Sequence, residues 1–132
     1  MIRDSYRSIT REQIEFVRTI KDGTHYTSIC HNFSECIKLI LLLLLEEYGQ
    51  TTPWHFTVTN LYVHCNIYIP NFNLEIEVSE LDAYQNTCTL GSPLFTEYDV
   101  RNCIDVTNRL IEYVNTLLYA KGAPLLKEIS VC

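Results

Sequence analysis

The sequence predicts an α+β domain: a small antiparallel sheet with a central hairpin, packed on one side by two or three helices, in the order α-α-β-β-(β)-α. Three observations predict it. Apolar residues recur at helical spacing near both ends of the chain, and an alternation of period two runs through residues 54–78. The two patterns are segregated along the chain instead of interleaved, as in folds whose helices gather on one side of an antiparallel sheet.

The first helix is expected from Thr10 to about Lys21. Thr10 and Gln13 have capping-box spacing, Ile14, Val17 and Ile20 follow at helical intervals, and Asp22-Gly23 supplies a stop. A second helix is expected from Ser28 or Asn32 to Tyr48, with Gly49 as its end and Asn32 and Glu35 repeating the capping-box spacing. Its polar residues Glu35, Lys38 and Glu46 form one narrow stripe that includes Leu42, and apolar residues cover the rest of the circumference. A helix so apolar must be covered on several sides. A homodimer that shares its surplus surface, through Leu41, Leu42 and Leu45, is the expected arrangement.

The aliphatic run 39–45 is too short to span a bilayer, which requires about 20 apolar residues, and it is flanked by Lys38 and Glu46-Glu47. The opening MIRDSYRSITREQ has none of the apolar core of an export signal. A soluble, cytoplasmic protein without membrane contact is therefore expected.

Beyond Thr51-Thr52-Pro53, Trp54, Phe56 and Val58 alternate with polar residues; the phase slips at Asn60, and Leu61, Val63, Cys65, Ile67 and Ile69 resume it. Such a slip predicts two short strands or one bulged strand. Residues 70–73 then read as a tight loop into a strand over 74–82. Pairing Ile69 with Leu74 sets Ile67 against Ile76 and Cys65 against Val78 on one face. The other face pairs Tyr68 with Glu75, Asn66 with Glu77 and His64 with Ser79. Residues 83–93 read as loop, with a short strand at 87–90. A third helix follows from Thr96, carried by Val100, Cys103, Ile104, Thr107, Leu110, Ile111, Val114, Leu117 and Leu118, and closed by Lys121-Gly122 and Pro124.

The 132 residues fit a single globular domain, and 47% hydrophobic with 20% charged residues is a globular composition. A net charge of −6 opposes nucleic-acid binding, which depends on Lys and Arg neutralising phosphates. Six cysteines without an export signal predict reduced, mostly buried thiols, so the Asn32-Phe33-Ser34 glycosylation pattern carries no weight. His25, Cys30, His31 and Cys36 are the densest group of metal-ligand types, but their spacing is irregular, and packed thiols with partly exposed imidazoles are the better reading. No metal or cofactor is expected.

No nucleophile or phosphate-binding motif stands out. His64 and Cys65 are adjacent, and neighbours on a strand point to opposite faces. The leading expectation is a non-enzymatic protein-protein interaction module that binds a protein partner through the outer sheet face formed by Tyr62, His64, Tyr68, Glu75 and Glu77. Plentiful Ile, Asn, Thr and Tyr with scarce Ala and Gly also occur in compact viral accessory factors, whose partner would be a host protein. The competing expectations are a small enzyme using His64 with Glu75 or Glu77, a thiol enzyme built on Cys103, or a secretion-chaperone-like binding protein.

Overall fold

The computed structural model describes residues 5–20, 26–50, 57–70, 72 and 97–127. Four helices occupy these residues: α1 (Ser5–Ile20), α2 (Tyr26–Glu47), α3 (Val58–Tyr68) and α4 (Glu97–Ala120). No strand occurs among the described residues, so the expected α+β architecture is replaced by an all-helical one.

The helix α2 is the centre, and each of the other three packs against it. Between residues 36 and 45 every side chain except Leu39 is buried, and Leu39 itself packs against the core from a partly covered position. Burying apolar area all round a helix removes it from water at about 25 cal/mol per Å2, and three neighbouring helices supply the cover that a one-sided sheet would not. Lys38, expected on a polar stripe, is only 6% exposed. Its long methylene stem allows this, since such a side chain can lie along apolar surface.

Polar side chains fix how α1 meets α2. Thr10 lies within α1 and not at its start; its buried hydroxyl donates to the Leu39 carbonyl at 3.1 Å. Gln13 donates to the Asn32 carbonyl at 3.0 Å and to its side-chain oxygen at 3.2 Å. Thr10, Gln13 and Asn32, expected in capping boxes, are thus used between helices. Arg7 pairs with Glu47, closing the same seam at its other end.

Two of the expected stops fall where the sequence places them, and the third, Asp22-Gly23, lies outside the described residues. Gly49 has φ +78° and Gly122 has φ +70°, the left-handed conformation that favours glycine after a helix. Lys121 then sits over the Tyr48 ring, 4.2 Å from its centroid, joining the ends of α4 and α2.

The clearest correction concerns residues 58–68, expected to be strand and found as α3. Thr57 caps this helix by accepting from the Asn60 amide at 3.1 Å, a contact of a kind that contributes about 1 kcal/mol, and Pro70 follows its end. Val58, Leu61, Cys65 and Ile69 are the buried set, spaced by three and four. The apparent phase slip at Asn60 is the first helical step, from Val58 to Leu61. Alternation was readable beside that spacing because apolar residues occupy nearly every side of the segment. With one partner helical, the expected hairpin pairing of residues 64–69 with 74–79 is not formed. The expected strands and loop over 73–93 lie outside the described residues, as does the first expected strand before Thr57.

Candidate interaction surface

The outward side of α3 is built by the same spacing that buries Leu61 and Cys65. Asn60, Val63, His64 and Ile67 follow one another at intervals of three, one and three, which places them on one stripe, and Tyr68 flanks it. Val63 is 48% exposed, Ile67 65% and Tyr68 45%. The helix contains no Asp, Glu, Lys or Arg among its eleven residues, although the chain carries a net charge of −6. Elsewhere, Ile9 and Phe16 are exposed on α1, but charged Glu12 lies between them on the same side.

Local contacts hold this stripe in shape. The Nδ1 of His64 lies 3.0 Å from the Asn60 carbonyl; a carbonyl only accepts, so Nδ1 carries the proton in this contact. The His64 and Tyr68 rings are tilted against each other at 5.8 Å. Behind the stripe, Tyr62 meets Phe72 edge-on at 5.7 Å, and Phe72 meets Tyr113 of α4 edge-on at 5.5 Å. This ring ladder fastens α3 to α4, in the geometry that aromatic quadrupoles favour.

Of the residues expected to bind a partner, His64 and Tyr68 share the outer side of α3, and Tyr62 is half-buried in the ladder. Glu75 and Glu77 lie outside the described residues. Val63 and Ile67 were expected on a buried strand face and are exposed instead. The signal that reveals them is the Thr57 cap with the Pro70 stop, which imposes helical phase on everything between.

Leu41, Leu42 and Leu45 are 1%, 2% and 0% exposed within one copy of the chain. In this arrangement they present no surface to a second copy. The helix is as greasy as expected, and its own fold supplies the shelter.

The expected metal-ligand types do not form a described cluster. Cys36 sits in the core, His25 lies outside the described residues, and Cys30 and His31 fall in α2. Among the described residues no three His, Cys, Asp or Glu side chains are grouped to hold a metal ion. Burial pushes the Cys36 and Cys65 thiols up to about 12, away from the reactive thiolate. Cys103 is buried as well, which closes it to a substrate. Among the described residues no helix is long and apolar enough to cross a membrane.

Compared with protein-family models, with curated proteins and with solved structures, the chain matches none of them.

Proposed function

We propose that this chain is a non-enzymatic protein-interaction module, and that its partner is a protein presenting an apolar, uncharged groove to the outer side of α3. The observation that carries this reading is the exposed trio Val63, Ile67 and Tyr68 on a helix without a formal charge. Depletion of charge with enrichment of aromatic residues characterises the buried centre of protein interfaces. A groove that wraps an exposed helix reads such a stripe through its three- and four-residue spacing.

A second copy of the chain is a poorer fit. The leucines on which a homodimer was expected to rest are already enclosed. An eleven-residue helix is about 16 Å long, and a flat contact between two such stripes falls well short of the roughly 800 Å2 per side of a stable interface. A groove covers the flanks of the helix as well as its crest.

The test begins with affinity isolation of a partner and continues with the two purified proteins. Ile67→Asp or Val63→Asp is expected to weaken binding by about tenfold or more, as loss of an apolar anchor does, with Phe16→Asp on α1 leaving it unchanged. Equal binding by all three variants would discard the α3 site. Sedimentation across a concentration series distinguishes the alternative, since dimers abolished by Ile67→Asp would assign the stripe to a second copy.

A further inference from the structure

A concave feature lies between α1 and the segment that follows α4. It has a volume of about 330 Å3 and is lined by Arg11, Ile14, Glu15, Leu125, Leu126 and Lys127. That volume is at the lower end of the range for small-molecule sites. Ile14 and Leu126 are buried and form an apolar floor, whereas Leu125 is half-exposed and forms a wall.

The wall is held in place by the backbone. Asn115 of α4 accepts from the Leu126 amide and donates to the Leu126 carbonyl, both at 2.8 Å, and Arg7 of α1 donates to the Pro124 carbonyl at 3.4 Å. These bonds anchor the residues on either side of Leu125. An apolar side chain fixed outward by its neighbours forms a preformed surface, which lowers the ordering cost of binding.

The charges around the groove are unequal in their commitments. Glu15 is engaged by Arg18 at 2.7 Å. Arg11 and Lys127 make no hydrogen bond or ion pair among the described residues. Two uncommitted cations beside an apolar floor complement a molecule with one negative head and an aliphatic body. Guanidinium geometry suits a carboxylate in particular, and Glu15 at the rim disfavours a head of higher negative charge.

We propose that this groove binds an aliphatic carboxylate, with the chain against Ile14, Leu125 and Leu126 and the carboxylate between Arg11 and Lys127. The probe is decanoate, followed through the methyl NMR signals of the three apolar residues. The comparison ligands are decylammonium, with the same tail and opposite charge, and decanol, with no charge. Decanoate is expected to shift those methyls and to bind about tenfold more tightly than either comparison ligand, as one favourable charge contact allows. The double variant Arg11→Gln, Lys127→Gln changes two exposed side chains and should remove that preference. Ile67→Asp should leave it intact, which separates this site from the α3 surface. Indifference to the charge of the head, an unchanged preference in the double variant, shifts confined to other methyls, or no binding at all would each overturn the proposal.

Discussion

Thr107 carries a small defect whose repair can be measured. Its hydroxyl oxygen is buried without a hydrogen-bonding partner among the described residues, and an unsatisfied buried polar group costs about 1–3 kcal/mol. Thr107→Val keeps the shape and removes the polar atom, so it is expected to stabilise the fold by about 1 kcal/mol in urea unfolding. Cys36 makes a prediction in pH. Because burial raises its folded value to about 12 from 9.0, the thiol's contribution is complete below pH 9 and is lost progressively as pH rises toward 12. At pH 10.5 the loss is about 2 kcal/mol from this one group. The stability gap between the native chain and Cys36→Ala, measured in urea, should therefore narrow by about that amount between pH 7.5 and pH 10.5. A gap that stays constant would mean that the thiol ionises equally well in the folded chain.

At the scale of elements, α3 discriminates between its helix and the strand read from the sequence. A strand places Leu61 and Val63 on one face with similar burial, whereas the helix buries Leu61 and leaves Val63 half-exposed. Leu61→Ala is therefore expected to cost about 3 kcal/mol, and Val63→Ala less than about 0.5 kcal/mol, in denaturant unfolding. Equal losses would restore the strand. The positions of α2 and α4 were legible because their apolar spacing and their closing glycines gave one consistent answer, and α1 was legible from its apolar spacing although it begins at Ser5, ahead of the expected Thr10. For α3, β-branched and aromatic residues favoured a strand locally, while its cap and its contacts with α2 favoured a helix, and tertiary packing prevailed. The residues named for the partner-binding surface are rearranged for the same reason: His64 and Tyr68 share one side in either geometry, but Val63 and Ile67 change from inside to outside. The leucines of α2 were rightly read as needing cover, but the source of that cover depended on α3 being helical.

For the whole molecule, the enclosure of α2 sets what a charge in its centre will do. Leu45→Asp puts an unpaired carboxylate at a position with no exposure, which costs several kcal/mol against a total stability of about 5–15 kcal/mol. The expected outcome is loss of helical circular dichroism and of the compact elution volume. A folded monomer obtained from a native dimer would instead assign Leu45 to a contact between copies. The edge-on arrangement of Phe72 between Tyr62 and Tyr113 has another consequence, because circulating π electrons in each phenol displace the resonance frequencies of nearby protons. Phe72 is therefore a built-in spectroscopic gauge: its lines should stand apart from ordinary phenylalanine positions while α3 is seated on α4, and drift back toward them when that seating is lost.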